Sequence, residues 1–181
     1  MIIKRATLED LKYIESLAKK ESQSIGFIPK VRYEAAIIGK RIREAAQPNC
    51  NDKLYMCFED NEPVGFVLGS SGKKSKGAIA KVSQICIQED ARLLERGKGL
   101  LNAFTWDCEN RGIFDFQCAC ADDLDSNLFW KAMGWELIGQ RKGRHYSNTW
   151  KDSSGRIVNL YMFRKNNLIR VGVREAEGDS L

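Results

Sequence analysis

Residues 77–101 constrain the fold of this chain more than any other stretch. An alternating run ends at Ile85-Cys86-Ile87-Gln88, and a little further on comes Arg96-Gly97-Lys98-Gly99-Leu100-Leu101. From there Leu100, Leu101, Phe104, Thr105 and Cys108 recur at helical spacing. Period-two alternation reads as a strand, and the three-and-four spacing reads as an amphipathic helix over 97–111, ended by Arg111-Gly112. A strand, a glycine-rich turn and a helix start, in that order, make an anion site. First-turn amides have no intrahelical partner, and the helix macrodipole adds to their pull, so phosphate is the usual occupant.

The same reading orders the rest of the chain. Residues 2–6 form a short strand. Thr7 caps a first helix that turns Leu8, Leu11, Ile14, Leu17 and Ala18 inward, and a second helix is expected over 30–46 with Tyr33, Ile37, Ile38 and Ile42. Residues 53–59 and 63–70 are β-rich runs joined by Asp60-Asn61-Glu62, a hairpin signal. The strand over 77–88 should set Val82, Gln84, Cys86 and Gln88 on one side and Ser83, Ile85 and Ile87 on the other. Phe114–Cys120 is a further strand, followed by a short helix capped by Asp125 or Ser126 and closed by Gly134, and then by strands near 135–140 and 156–164. The order implies an α/β protein, three layers with helices on both sides of a mixed sheet. One domain over 1–165 is expected, with 166–181 an extension holding a small strand at Leu168–Val173 and a loose end.

Charge and cysteine usage narrow the class. Lys plus Arg number 29 against 24 Asp plus Glu, an excess of five that suits an anionic ligand and says little for nucleic acid. The excess concentrates at 140–165, where Arg141, Lys142, Arg144, Lys151, Arg156, Arg164 and Lys165 face Asp152 alone. That segment reads as a solvated rim or as a site for an anionic acceptor. Tyr146 and Trp150 could stack on bases there, but no nucleic-acid reader motif accompanies them. Six scattered cysteines, no C-x-x-C pair and the single His145 argue against zinc and for reduced thiols. The opening Met1-Ile2-Ile3-Lys4-Arg5 is unlike a secretory signal, and no apolar run is long enough to span a membrane, so a cytoplasmic protein is expected.

With these elements in place the chain resembles the GNAT superfamily of acetyl-CoA-dependent N-acetyltransferases over roughly residues 1–165. The resemblance rests on the element order and on the pattern Q/R-x-x-G-x-G/A, met by Arg96, Gly99 and, imperfectly, Leu101. It rests also on Asn127-Leu128-Phe129-Trp130-Lys131-Ala132-Met133-Gly134-Trp135, which is similar to the family's downstream asparagine, aromatic pair and lysine-x-glycine-aromatic. It implies a splayed sheet and acetyl-CoA as acyl donor. The pyrophosphate would lie on the amides of Gly97, Lys98, Gly99, Leu100 and Leu101 with Arg96 and Arg92 nearby, pantetheine along Ile85, Cys86 and Ile87, and Asn127 touching the cofactor. Eight residues separate Ile87 from Arg96 where the family commonly has about four. Either Arg92 takes the leading arginine position or the turn is extended and Arg96 leads, the latter being preferred for its glycines.

The resemblance further implies direct transfer of acetyl to a primary amine, of a small molecule or of a protein, by a monomer or homodimer. The position of the family's usual proton-donating tyrosine holds Trp130, whose indole is no useful acid. Tyr146, Tyr161 or solvent remain to protonate the departing thiolate. Glu89, Asp90, Asp122, Asp123, His145 or a water could serve as base, Asp122 standing where such sheets place ligands. The competing reading is a catalytically weak CoA-binding regulatory module that lost its acid at Trp130.

Overall fold

The computed structural model describes residues 1–21, 40, 43, 44, 51–72, 77–92, 94–142 and 157–165. Of the second helix expected over 30–46 only residues 40, 43 and 44 are described, all helical; the strand at Leu168–Val173, and His145, Tyr146 and Trp150, lie outside the described residues. The described part is one seven-stranded sheet built from β1 (Ile2–Arg5), β2 (Asp52–Glu59), β3 (Glu62–Ser70), β4 (Ile79–Ile87), β5 (Asp115–Ala121), β6 (Glu136–Lys142) and β7 (Ile157–Arg164). Its strand order is β1-β2-β3-β4-β5-β7-β6. All neighbours are antiparallel except β4 and β5, which the helix α2 (Leu94–Glu109) connects as a crossover.

Helix α1 (Leu11–Lys20) covers one face, with Ile14, Leu17 and Ala18 packed on Leu54, Met56, Phe66, Leu68 and Cys86. Helix α2 and the short α3 (Ser126–Ala132) cover the other, where Leu100, Phe104 and Cys108 meet Val67, Val82, Phe116 and Tyr161. Three layers are the result, as the element order requires. Helices α2 and α3 are each followed by a glycine in the left-handed region, Gly112 (φ 78°) and Gly134 (φ 76°). The Ile113 amide reaches back to the Cys108 carbonyl at 3.1 Å and the Trp135 amide to the Trp130 carbonyl at 3.0 Å, the pattern that closes a helix on a left-handed residue. The β2–β3 hairpin turns on Asp60 (φ 48°) and Asn61 (φ 69°) between the paired Glu59 and Glu62. Positive φ at both central positions is the turn whose twist matches the strands.

Beyond Leu8, which lies in a 3-10 turn ahead of α1 and is half exposed rather than turned inward, two expectations need correction. Strand β4 does not alternate smoothly: its pairing with β3 steps from Leu68↔Gln84 to Gly69↔Val82, leaving Ser83 as an extra residue. A bulge of this kind reverses the alternation. Val82 therefore packs on the α2 side and Cys86 on the α1 side, while Ile85 and Ile87 join the α2 cluster. The second correction is the start of α2, which lies at Leu94, three residues before the expected Gly97.

Candidate functional site

The sheet opens beside the bulge. Strands β4 and β5 pair only from Ile79↔Asp115 to Val82↔Cys118, although β4 runs on to Ile87 and β5 to Ala121. On its other side β4 stays paired, Ile85, Cys86 and Ile87 facing Val67, Phe66 and Gly65 of β3. The backbone of 83–87 thus lacks a β5 partner and borders the cleft between the two strands. There the chain turns through a short 3-10 segment, Glu89–Ala91, and enters α2 at Leu94.

The early start of α2 reassigns the glycine-rich residues. The amides of Leu94, Glu95 and Arg96 lie in the first turn and have no acceptor within the helix, whereas those of Lys98, Gly99, Leu100 and Leu101 belong to its own ladder. Residues 97–101 are therefore not the open end of the helix. A Cβ on Gly97 would come 2.8 Å from Phe129 Cε2, and one on Gly99 would come 2.8 Å from Ile3 Cδ1 and 2.9 Å from Met1 Cε. Both glycines serve close packing, of α2 on α3 and on β1. Leu100 and Leu101 are buried in the core, so the bulk of Leu101 points away from the cleft. Lys98 is exposed, 3.8 Å from Glu95.

Arg96 is engaged elsewhere. Its guanidinium pairs with Glu59 and donates to the Ala91 carbonyl at 2.9 Å, tying the 3-10 turn to the end of β2. Arg92 stands two residues before the first turn of α2. It pairs with Glu21, its Nε donates to the Ile87 carbonyl at 3.3 Å, and its side chain is 43% exposed. If Arg92 opens the pattern Q/R-x-x-G-x-G/A, then Gly97 fills the last position and Glu95 replaces the first glycine. The short approach from Ile87 fits that register.

Asn127 and Tyr161 are brought together, but as structure. Asn127 Oδ1 accepts from Tyr161 Oη and from Asn159 Nδ2, each at 2.9 Å. Its Nδ2 donates to the carbonyls of Ala121 (2.7 Å), Leu124 (2.7 Å) and Asp122 (3.2 Å). The amide is saturated and pins the start of α3 to the end of β5 and to β7. Tyr161 is fully buried, burial raises its phenol above the usual value, and its proton is given to Asn127. The hydroxyl of this expected proton donor is thus engaged within the fold. Trp130 is buried against Phe129 and Trp135, ring centroids 5.2 and 4.9 Å away. Asp122 and Asp123 are exposed at the end of β5. The described cysteines, Cys57, Cys86, Cys108, Cys118 and Cys120, are buried thiols. Burial pushes Cys86 and Cys108 up to about 12 and Cys118 higher still, so none of these is a ready nucleophile.

Sequence reasoning missed the α1 side of the cleft. Glu21 directly follows α1 and is only 5% exposed. It extends the inward stripe of Ile14, Leu17 and Ala18, standing four residues after Leu17 and three after Ala18, so an acid on an inward helix face was the signal. Tyr13, half-buried on the same helix, directs its hydroxyl to Gln88 Oε1 at 3.4 Å, and burial raises its phenol above the ordinary range. Gln84, beside the bulge, has an Oε1 that is buried and accepts no hydrogen bond from the described residues. Among the described residues no group of His, Cys, Asp and Glu could hold a metal ion, and no helix is long and apolar enough to cross a membrane.

No protein-family model matches the chain, and no curated protein matches it. Solved structures do. An acetyltransferase from Salmonella typhimurium that modifies the N-terminal serine of the 50S ribosomal subunit protein L7/L12 superposes with a TM-score of 0.73 at 18% identity, over 91% of this chain and 94% of that one. A ribosomal-protein-alanine N-acetyltransferase from Brucella melitensis gives 0.68 at 14% identity, over 91% and 100%. An aminoglycoside 6'-N-acetyltransferase from Enterococcus faecium gives 0.63 at 12%, over 91% and 97%. The chain has the fold of the GNAT acetyltransferases.

Proposed function

We propose that this protein is an N-acetyltransferase that moves an acetyl group from acetyl-CoA directly to a primary amine. The observation that carries the reading is the opening between β4 and β5 directly beside the unpaired first turn of α2. An extended amide-bearing arm can pair with the exposed strand backbone of 83–87, as a peptide pairs with a sheet edge, while its phosphates meet the amides of 94–96 and the Arg92 guanidinium. Ile85, Cys86 and Ile87 would thus contribute backbone, and their side chains need no particular chemistry.

Acetyl-CoA would supply the acyl group as a thioester. Around it the chain orients the carbonyl against the β4 backbone, whose amides favour the charge that develops on oxygen. Direct transfer is supported by the thiols of Cys57, Cys86, Cys108 and Cys118, which burial holds above their ordinary pKa and makes poor nucleophiles. With Tyr161 held by Asn127, the leaving thiolate takes its proton from solvent or from Tyr146. A thiol pKa near 8.5 makes that step undemanding. Asp122 or Asp123, exposed at the end of β5, would take the proton of the amine.

One observation favours a second reading, a CoA-binding regulatory module without turnover: the position of the family's acid is filled by Trp130, packed in the core. Calorimetric titration with CoA, combined with thiol release from acetyl-CoA across a panel of primary amines, separates the two. Binding with thiol release that depends on an amine is expected. Binding with no release for any amine supports the module, and no binding of CoA refutes both.

A further inference from the structure

Two glycines of β3 stand against β4 at either end of the segment that has left β5. Gly69 lies opposite Val82, the last residue of β4 paired with β5, and Gly65 lies opposite Ile87, the last residue of the strand. Neither has a positive φ, so the backbone conformation does not call for glycine at either place. Glycine weakens a strand interior, and close approach of another backbone is the usual reason to find it there. At Gly65 that reason holds. A Cβ on it would lie 2.6 Å from the Cys86 carbonyl oxygen, 2.5 Å from Ile87 Cδ1 and 3.2 Å from Ile87 Cα. The end of β4 occupies the space that a side chain on β3 would fill.

The two positions differ in what holds β4 from its other side. At Val82 the strand is fixed between β3 and Cys118 of β5. At Ile87 it pairs, among the described strands, with β3 alone, and the Gln88 amide continues that pairing by donating to the Val64 carbonyl at 2.9 Å. A methyl group at Gly65 could push Ile87 Cδ1 aside, since that atom is the tip of a side chain. The Cys86 carbonyl is backbone, and to clear it β4 must move off β3. The side without a strand is the cleft, so that is the direction in which 83–87 yields. At Gly69 the obstacles are the Lys81 carbonyl and the Phe104 ring. A strand held from both sides cannot give way, and strain there appears as lost stability.

We infer that Gly65 is a positioning residue for the cofactor: by bringing no side chain it lets the Cys86–Ile87 backbone lean onto β3, and so sets the width of the opening between β4 and β5. The inference rests on the N-acetyltransferase reading above. It deepens that reading by assigning the fit of the pantetheine arm to a residue of β3 that need not touch the ligand. Hydrogen bonds between extended chains fail within about 0.5 Å of their ordinary length, so a small displacement of 83–87 is enough to spoil pairing with an incoming arm.

Comparing Gly65→Ala with Gly69→Ala tests this, by urea unfolding of the ligand-free protein and by calorimetric titration with CoA. Gly65→Ala should raise the Kd for CoA about tenfold. Gly69→Ala should lower the urea midpoint further than Gly65→Ala does, yet leave the Kd within about twofold of wild type. The double variant Gly65→Ala with Ile87→Val lacks Cδ1, which relieves the side-chain part of the obstruction and covers the case of a single variant that does not fold. Compared with Ile87→Val alone it should show the same loss of affinity, because the Cys86 carbonyl is still in the way. Wild-type affinity in Gly65→Ala would overturn the inference, as would recovery of affinity in the double variant. An equal loss in a folded Gly69→Ala would overturn it too, since any loosening of β3 against β4 would then weaken binding. Failure of wild type to bind CoA is a separate outcome, which removes the functional reading and this inference with it.

Discussion

Asn127 concentrates more of the structure than any other polar side chain described. It is 9% exposed and links three backbone carbonyls to Tyr161 and Asn159. Asn127→Ala strands a buried hydroxyl and a buried amide together, and should lower unfolding free energy by about 2–4 kcal/mol in urea titrations. Tyr161→Phe removes only one donor and should cost about 1 kcal/mol while leaving the transfer rate and its pH profile unaltered. A shifted profile would restore Tyr161 as an acid. Asp107 governs acid behaviour in the same way. Burial alone would raise its pKa, but hydrogen bonds from Lys53 (2.9 Å) and Tyr55 and the nearby Arg5 outweigh it, and the net shift is downward. A carboxyl held below its unfolded pKa stabilises the fold above that value, near 4, and loses the contribution as pH falls through the folded pKa. Asp107→Asn should therefore cost about 1–2 kcal/mol at pH 7, and the difference in urea midpoints should shrink as the pH is lowered below the ordinary carboxylate range.

At the scale of elements, the glycines separate by what surrounds them. A Cβ on Gly69 would lie 2.5 Å from the Lys81 carbonyl and 2.6 Å from the Phe104 ring, so β3, β4 and α2 would all have to move. On Gly99 the obstacles are the flexible tips of Met1 and Ile3. Gly69→Ala should lower stability by about 1–3 kcal/mol, as overpacking does. Gly99→Ala should be neutral or stabilising by up to about 1 kcal/mol, since a helix interior prefers alanine. Thermal denaturation of the two variants tests the contrast, and a loss in Gly99→Ala as large as in Gly69→Ala would mean that the Met1 and Ile3 tips cannot move aside. This is also why the site was less legible than the fold. Alternation, hairpin residues and helix-ending glycines gave the element order, because each is a local property of the chain. Whether Gly97 and Gly99 meet a ligand or a neighbouring side chain depends on Phe129, Met1 and Ile3, distant in sequence. The start of α2 at Leu94 was hidden likewise, since Leu94 and Glu95 carry no stop or cap signal. The bulge at Ser83 is set by pairing with β3, which single-strand alternation does not encode.

At the scale of the whole molecule, the described sheet is two halves held by a short seam. Strands β1 to β4 form one, β5, β7 and β6 the other, and only four residue pairs, Ile79↔Asp115 to Val82↔Cys118, join them as strands. Helix α2 packs on β1, β2, β3 and β4, and the cluster around Phe104, Phe116 and Tyr161 spans the two halves. An elongated ligand lying in the opening would join both halves while leaving each core untouched. Bound CoA should then stabilise the molecule as a unit. At a concentration about 100 times its Kd the gain is about 2.7 kcal/mol, equivalent to a Tm rise of about 5–10 °C for a chain of this size. Hydrogen exchange should show where the gain arises. Amides at 83–87 and 119–121, which border the opening, should slow on adding CoA, while those in the seam should be protected with or without it. Protection gained only at the far end of the sheet, near Asn51 and Ser71, would place the ligand elsewhere and dissociate the splay of β4 and β5 from its use.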